Sequence, residues 1–346
     1  MTETTTVLLA YADVDPVTAI PFLESVSPAV RALYCPYENA HELRTRRDER
    51  PFSPDAQDLL PALTEEQSAA FAQADVLLSL DVPMGLGAVA PRLRWVQNVG
   101  SGYGRYRSAG LAEAGIVLTN AAGLGAPGIA EFVLARLLEH WKRLPEIADR
   151  QRRRDWGFTF GRSAAGRTVV IVGMGAIGRA VAQVCAALRM RVVGVARTVP
   201  AGGMDGIDGL DEVFSAAEMH AALAEADAVV LCATDTADNE NLFDQKAFAA
   251  MPTGSFFVNV SRGRLVADEA LVSALEGGHL AAAAIGVTRV EPVPADSPLW
   301  TTPGLRLSPH SATSQDGYTD RVLDLFRDNL HRFLTGRPLR NVVPLT

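Results

Sequence analysis

The chain has 346 residues, a formal net charge of −8, 48% hydrophobic residues and 21% charged residues. This length favours two domains, and this balance is that of a globular protein with apolar cores. The negative charge disfavours DNA or RNA as the main partner, and no apolar run approaches the roughly 20 residues that a membrane helix needs.

The first half of the chain alternates short β-branched runs with helical patterns. Its polar start, Met-Thr-Glu-Thr-Thr-Thr, lacks the basic and then apolar segments of a secretory signal. A helix is predicted within Pro61–Ala74. Alternation of this kind is typical of parallel β-α units. The predicted strands are Val7–Ala10, Val76–Leu80, Trp95–Val99 and Ile116–Thr119.

One long helix, predicted from Gly128 to about Arg150, separates this first block from a second alternating block. A last amphipathic helix is predicted from about Gln315 to Leu334. Two such blocks predict two doubly wound parallel α/β domains with an inter-domain cleft, a common place for ligands. The strands predicted in the second block are Val169–Val172, Arg191–Ala196, Ala228–Cys232, Phe256–Val260 and Ala282–Val287.

A glycine-rich turn opens the second block, in Val169-Val-Ile-Val-Gly-Met-Gly-Ala-Ile-Gly178. Such a strand running into G-x-G-x-x-G predicts dinucleotide binding, although a merely structural turn is the alternative. Gly173 permits the tight turn, Gly175 lets the backbone approach a pyrophosphate, and Gly178 lets the helix pack on the sheet. The following helix, predicted over Arg179–Met190, directs its N-terminal amides at the phosphates.

The end of the next strand indicates which dinucleotide binds. An NAD site usually carries an acidic residue there, which binds the ribose 2′-hydroxyl. This chain has Val195-Ala196-Arg197-Thr198 instead, with no acid. Arg197 and Thr198 suit a 2′-phosphate, so NADP(H) is favoured and NAD(H) remains open. The alternative is that Arg197 is an ordinary surface arginine.

The three cysteines, Cys35, Cys185 and Cys232, are widely spaced and form no C-x-x-C pair. Neither a disulfide framework nor a zinc site is therefore expected, and no other metal site is predicted. A reducing, cytoplasmic setting fits this pattern best.

Three further segments resemble the D-isomer-specific 2-hydroxyacid dehydrogenase family. Phe257–Asp268 is similar to the family's arginine motif, Val290–Trp300 to its glutamate motif, and Ser308–Ala312 to its histidine motif. The motifs come in the family's order and spacing, downstream of the glycine turn. The resemblance covers most of the chain from about Arg94 onward.

The resemblance implies a hydride transfer between NAD(P)H and a small 2-keto or 2-hydroxy acid. His310 would donate the proton to the keto oxygen, because imidazole titrates near working pH. Glu291 would fix the imidazole tautomer, and Arg262 would bind the carboxylate and polarise the keto oxygen. Taken singly, these residues are also explained as a turn cap, a solvated acid and a salt-bridge arginine.

The segment Asn98–Gly104 resembles the family loop whose backbone amides bind the substrate carboxylate, and an ordinary glycine-rich turn is the alternative. The family usually has Asp five residues before the glutamate, where this chain has Gly286. The anchor of the nicotinamide carboxamide is therefore in doubt, and Thr288 or a backbone carbonyl is a candidate replacement. The predicted substrate-binding residues are Val99, Gly100, Ser101 and Tyr103. The predicted cofactor-binding residues are Gly173, Gly175, Ala176, Ile177, Gly178, Arg197, Thr198, Thr234, Val260 and Gly286.

The resemblance also implies a domain division and an assembly. Residues 1–122 and 315–346 would form a flavodoxin-like substrate domain, and residues 123–314 a Rossmann cofactor domain. A homodimer is expected, with the helix near Ala130–Arg150 as a contact. Two alternatives remain open: a dinucleotide-sensing binding protein of the same fold with little turnover, and a formate or phosphite dehydrogenase, against which Glu291 speaks.

Overall fold

The computed structural model describes residues 4–49, 51–53, 60–199 and 208–345. The chain forms two compact units. The first combines Met1–Leu124 with Gln315–Thr346, and the second is Gly125–Ser314. Each unit contains one sheet in which all the described strands pair in parallel.

The first unit contains a five-stranded sheet of order β2-β1-β3-β4-β5. Its strands are β1 (Thr5–Leu9), β2 (Val30–Tyr34), β3 (Val76–Ser79), β4 (Trp95–Asn98) and β5 (Val117–Thr119). Its helices are α1 (Pro16–Glu24), α2 (His41–Glu49), α3 (Glu65–Gln73), α4 (Leu86–Val89), α5 (Gly104–Arg107) and, from the end of the chain, α12 (Tyr318–Leu334). The central strands are buried on both faces, which explains their continuous apolar runs.

The last helix, α12, completes one of the two apolar layers of this sheet. Trp95 of β4 lies with its ring centroid 5.1 Å from that of Phe326 and 5.6 Å from that of Phe333. Asn329, which is fully buried, donates from Nδ2 to Gln97 Oε1 at 3.2 Å. The final helix is therefore part of the first unit's core, although about 200 residues of chain separate it from β5.

The second unit contains a seven-stranded sheet of order β12-β11-β10-β9-β6-β7-β8. Its strands are β6 (Thr168–Val172), β7 (Arg191–Ala196), β8 (Glu212–Ser215), β9 (Ala228–Leu231), β10 (Ser255–Asn259), β11 (Leu280–Ile285) and β12 (Leu305–Leu307). Its helices are α6 (Ala126–Trp141), α7 (Leu144–Arg152), α8 (Ala176–Ala187), α9 (Met219–Leu223), α10 (Gln245–Ala250) and α11 (Asp268–Glu276). Apolar layers cover both faces of this sheet.

The single helix predicted from Gly128 to Arg150 is wrong, because the structure has two helices there. The first ends at Trp141, and Arg143 is left-handed with φ of 56° before the second begins. Pro145 is the cause, since a proline in a helix removes one amide donor and clashes with the carbonyl four residues earlier. That carbonyl, on Trp141, accepts the amide of Arg162 at 2.7 Å instead.

Two other helix starts differ from the predictions for identifiable reasons. Helix α3 begins at Glu65 rather than near Pro61, because Thr64 and Gln67 form a capping box. Helix α8 begins at Ala176 rather than Arg179, directly after Gly175. Among the described residues, no helix is long and apolar enough to cross a membrane.

Candidate active site

The predicted site residues of the second unit lie just beyond the carboxyl ends of its strands. Parallel strands bring these ends to one edge of the sheet, where ligands of open α/β folds bind. The residues that follow the strands at this edge are Gly173 after β6, Arg197 after β7, Thr234 after β9, Val260 after β10, Gly286 after β11 and His310 after β12.

The glycine turn has the geometry that a dinucleotide requires. Gly173 has φ of 105°, and a Cβ there would lie 2.4 Å from the amide nitrogen of Ala233. A Cβ on Gly178 would lie 2.1 Å from the carbonyl oxygen of Gly173, so the helix packs against the turn. At Gly175, by contrast, nothing lies within 4 Å of a Cβ, which leaves room for a phosphate beside the N-terminus of α8. These residues fit a bound pyrophosphate.

The side chains at the end of β7 are open to solvent. Arg197 and Thr198 are both exposed, directly after the buried residue Ala196. Ala176 and Ile177 form the first turn of α8, where Ala176 is exposed and Ile177 is half-buried. An exposed guanidinium and hydroxyl beside the phosphate turn are donors that a ribose phosphate can reach.

Glu291 and His310 form a hydrogen-bonded pair. His310 Nδ1 lies 2.8 Å from Glu291 Oε2, and the exposed fractions of the two side chains are 52% and 19%. Glu291 Oε1 accepts the amide of Thr288 at 3.0 Å. A carboxylate at Nδ1 favours the tautomer in which Nδ1 carries a proton, so Nε2 is the nitrogen available to substrate.

The surroundings of Glu291 keep it ionised. Burial alone would raise the pKa of this carboxyl group. The hydrogen bonds from His310 and from the Thr288 amide, with the charge of Arg262, lower the pKa below its ordinary value. The backbone of His310 is left-handed, with φ of 50°, which is uncommon for a residue other than glycine. Such conformations concentrate at functional sites.

Arg262 lies in a turn that neighbouring polar residues hold. The buried Asn259 accepts the amide of Ser261 at 2.9 Å and donates to the carbonyl of Arg262 at 3.1 Å. A Cβ on Gly263 would lie 2.0 Å from the carbonyl carbon of Thr288, so the two backbones touch. The guanidinium of Arg262 donates to the carbonyl of Ser261 at 2.8 Å, and the residue is exposed.

The roles of Asn259, Ser261 and Gly263 were missed in the sequence analysis. Ser261 donates from its hydroxyl to the carbonyl of Ala233, which ties the Arg262 turn to the residues after β9. The short pattern Asn-Val-Ser-Arg-Gly was available in the sequence. Asn and Ser are typical of turns that bond side chain to backbone, and this was the signal that could have revealed the support of Arg262.

Three more predicted cofactor positions, Thr234, Val260 and Gly286, lie at the same edge of the second unit's sheet. Thr234 is exposed, and its carbonyl accepts Asn239 Nδ2 at 2.7 Å. Val260 is 6% exposed. Gly286 is buried, and a Cβ there would have ordinary contacts, 3.6 Å from both Ala312 Cβ and Asn259 O. The hydroxyl of Thr288 donates to the carbonyl of Val290 at 2.9 Å, so its proton is already engaged.

The predicted carboxylate loop of the first unit is organised by Asn98, which the sequence analysis did not single out. Asn98 accepts the amide of Gly100 at 3.0 Å and donates to the carbonyl of Gly102 at 2.6 Å. The amide of Val99 donates to Ser79 O at 3.0 Å. The N–H groups of Val99 and Gly100 therefore have partners within the protein.

The remaining members of this loop are more accessible. Ser101 is exposed, and its carbonyl accepts Asn120 Nδ2 at 2.8 Å. Its amide donates to no described residue. Tyr103 is half-buried and packs against one of the first unit's apolar layers. Of the three amides discussed, those of Val99, Gly100 and Ser101, the Ser101 amide is thus the one left without an acceptor among the described residues.

Comparison with known proteins identifies the family. A family model described as D-isomer specific 2-hydroxyacid dehydrogenase, NAD binding domain, matches residues 134–312, which is more than half of the chain. The chain belongs to the D-isomer specific 2-hydroxyacid dehydrogenase family. The predicted resemblance is confirmed, and with it the predicted pair of parallel α/β domains.

Relatives within the family extend over nearly the whole chain. Glyoxylate/hydroxypyruvate reductase B of Klebsiella pneumoniae (strain 342) is 30% identical, over 87% of this chain and 94% of its own. The reductase of the same name from Citrobacter koseri is 32% identical, over 83% and 89%.

Solved structures share the fold. A D-isomer specific 2-hydroxyacid dehydrogenase family protein from Aeromonas salmonicida is 27% identical with a TM-score of 0.76, over 99% of this chain and 100% of that one. A structure from Xanthobacter autotrophicus Py2, in complex with NADPH and MES, is 24% identical, also with a TM-score of 0.76, over 99% and 98%. At that identity the second likeness shows the fold alone.

These findings make the protein an NAD(P)-dependent 2-hydroxyacid dehydrogenase. The predicted reaction class and the use of a nicotinamide cofactor are confirmed. The relatives are named as reductases, which favours this function over a sensor protein or a formate or phosphite dehydrogenase.

Proposed function

We propose that this dehydrogenase reduces small 2-keto acids, of the size of glyoxylate or hydroxypyruvate, with NADPH as the preferred donor. The observation that carries the proposal is the Glu291–His310 pair, 2.8 Å apart, with the charge of Arg262 acting on the same carboxylate. The names of the relatives support the substrate size.

The chemistry divides between a bound cofactor and the chain's own residues. A nicotinamide cofactor bound at the glycine turn of Gly173 and Gly175 would supply the hydride to the keto carbon. His310 holds a proton on Nε2 and delivers it to the keto oxygen, while Glu291 stabilises the imidazolium from the Nδ1 side. Arg262 binds the substrate carboxylate and draws electron density from the keto oxygen, so the charge that develops in the transition state is stabilised.

The substrate carboxylate would also use the loop Val99–Tyr103 of the first unit. Ser101 is the proposed amide donor, because the amides of Val99 and Gly100 donate within the protein. Tyr103 would limit the size of the substrate side chain. We accordingly assign part of substrate recognition to the first unit, and cofactor binding together with Arg262, Glu291 and His310 to the second.

The preference for NADPH rests on the exposed Arg197 and Thr198 at the end of β7, where no acidic side chain follows the strand. Hydrogen bonds to charged groups contribute about 1.5–3 kcal/mol, or roughly 10- to 100-fold in affinity. Arg197→Ala is therefore expected to raise the KM for NADPH by about that factor and to leave the KM for NADH unchanged. An equal effect on both cofactors would contradict the 2′-phosphate role.

The decisive experiment follows the loss of reduced-nicotinamide absorbance with NADPH and NADH in parallel, across a panel of 2-keto acids. We expect turnover with glyoxylate or hydroxypyruvate, and its loss in His310→Ala. His331, an exposed histidine on α12, provides the matched control His331→Ala. Cofactor binding without turnover on any acid would overturn the proposal in favour of a sensor protein.

We also propose a homodimer. Trp156, Phe158 and Phe160 are 93%, 80% and 80% exposed, and the two phenylalanine rings stack with centroids 5.9 Å apart. Exposed apolar side chains that cluster in this way mark interaction surfaces. A second copy of this chain is the proposed partner, in line with the homodimer that the family resemblance implies. Sedimentation should show a dimer that Trp156→Ser with Phe158→Ser weakens, whereas Val17→Ser, an exposed control in the first unit, does not. A monomeric wild type would contradict the proposal.

We propose a cytoplasmic setting because the cysteines are free thiols. Cys35, Cys185 and Cys232 are all free thiols, and burial raises the pKa of each. Cysteines that remain free thiols suit a reducing compartment.

A further inference from the structure

Arg289 is a side chain that the proposed reaction does not use and that no comparison assigns. It lies two residues before Glu291 and is about one third exposed. Its guanidinium donates from Nη1 to Glu240 Oε1 at 2.9 Å and from Nη2 to Asn241 Oδ1. Nη2 also donates to the carbonyls of Arg264 and Val266, at 3.2 and 3.1 Å. One side chain thus has four acceptors.

These acceptors belong to two segments that each carry part of the site. Arg264 and Val266 directly follow the turn of Arg262, and Gly263 in that turn touches the backbone next to Arg289. Glu240 and Asn241 lie in the connection between β9 and α10, which also carries Thr234. Arg289 itself belongs to a third segment, the one that carries Glu291.

The two segments that accept from Arg289 are also hydrogen-bonded to each other. The amide of Asn241 donates to Arg264 O at 2.9 Å, and Arg264 Nη2 donates to Glu240 Oε2 at 3.2 Å. The hydrogen bond from Arg289, followed by that from Arg264, lowers the pKa of Glu240, so it stays an anionic acceptor. The planar fork of arginine can serve several acceptors at once, which a lysine ammonium cannot reproduce in this geometry.

We propose that Arg289 is a positioning residue, which holds the three loops of Thr234, Arg262 and Glu291 in register and thereby sets the orientation of the Glu291 carboxylate toward His310. It does not contact the reacting atoms. The inference rests on the proposed function for its catalytic consequence, and its structural part stands without it. The groups that face Glu291 are His310, Arg262 and the amide of Thr288, so Arg289 acts through backbone placement.

The test compares Arg289→Met, which keeps the length of the stem and removes every donor, with Arg289→Lys. Arg191→Met is the matched control, since Arg191 also pairs with two carboxylates of the second unit, Glu212 and Glu225, away from these loops. A misplacement near 1 Å costs up to about 100-fold in rate. We expect kcat to fall by about 10- to 100-fold in Arg289→Met. The kcat of Arg289→Lys should lie between those of Arg289→Met and the wild type, and the kcat of Arg191→Met should be close to that of the wild type.

A double-mutant cycle separates positioning from a merely structural effect. If Arg289 acts through Glu291, adding Arg289→Met to Glu291→Gln costs little further kcat. Hydrogen exchange should also rise in residues 234–241, 262–266 and 288–291 of Arg289→Met, without any substrate present. Additive losses in kcat, or unchanged exchange in these loops, would overturn the inference.

The outcomes also separate this inference from the proposed function. A wild type without turnover would remove the function, and the exchange experiment would still decide the structural role of Arg289. A wild type with turnover beside a fully active Arg289→Met would remove the positioning role alone. If Arg289→Met does not fold, Arg289→Lys carries the same three measurements.

Discussion

Gly263 offers the sharpest perturbation of the site, because its substitution moves two backbones that touch. A Cβ there would lie 2.0 Å from the carbonyl carbon of Thr288 and 2.2 Å from the amide nitrogen of Arg289. Ordinary contact begins near 3.4 Å. The turn of Arg262 and the segment of Glu291 must therefore separate by about 1.4 Å, taken as 3.4 minus 2.0, in Gly263→Ala.

Both stability and rate should respond to that separation. Overpacking costs about 1–3 kcal/mol, and each kcal/mol lowers the melting temperature of a unit of this size by about 2–4 °C. A displacement above 1 Å between Arg262 and Glu291 should reduce kcat by about 100-fold. Cofactor affinity should change far less, because the glycine turn is a separate loop.

The assay pairs calorimetric melting with steady-state kinetics at saturating NADPH. Gly286→Ala is the control for stability, since its Cβ would meet its nearest atoms at 3.6 Å, an ordinary contact. The melting temperature of Gly286→Ala should be close to that of the wild type. If Gly263→Ala retained kcat within twofold and melted within 1 °C of wild type, the close approach of the two backbones would not govern the site.

Three further outcomes follow from the same geometry. Glu291→Gln should lower kcat by about 100-fold. The pKa of Glu291 lies below its ordinary 4.5, so the ionised carboxylate contributes fully to stability above that value, and this contribution is lost as the pH falls through the lower folded-state pKa. The melting temperatures of wild type and variant should therefore converge in acid. Gly286→Asp should fit and tighten cofactor binding if this position is the carboxamide anchor, and unchanged binding and turnover would contradict that role. Asn98→Ala should raise the KM for the keto acid several-fold without changing cofactor affinity, because the loop of Gly100 loses the two hydrogen bonds that it forms with the Asn98 side chain. Equal effects on both would contradict a carboxylate role.

Periodicity and motif order were sufficient for the strands of both sheets other than β2, β8 and β12, and for the motif residues that follow them. The buried central strands are long apolar runs, so their residues are visible in the sequence. The edge strands β8 and β12 were missed, because they are only partly buried and their residues, such as Glu212 and Arg306, break the apolar pattern. The first unit's β2 was missed for a similar reason, since Arg31 in it is exposed.

The helices depended on local chemistry that the periodicity did not reveal. To predict the break between α6 and α7, Pro145 had to count for more than the apolar pattern around it. At the site, the motifs named Arg262, Glu291 and His310, but not the side chains that hold them. Arg289 acts through bonds to backbone atoms 23 and 25 residues away, and such partners become apparent only once the chain is folded. Asn98 and Asn259 instead bond to backbone atoms within four residues along the chain, so their signal was present in the local sequence.

The division of the first unit between the two ends of the chain imposes an order on its synthesis. The second unit is one continuous segment and can complete its sheet as soon as residue 314 has left the ribosome. The first unit must wait for α12, whose Phe326 and Phe333 cover Trp95. Until translation ends, the indole face of Trp95 lacks this cover, and a nascent chain truncated before Tyr318 would present an apolar surface open to chaperones or to aggregation.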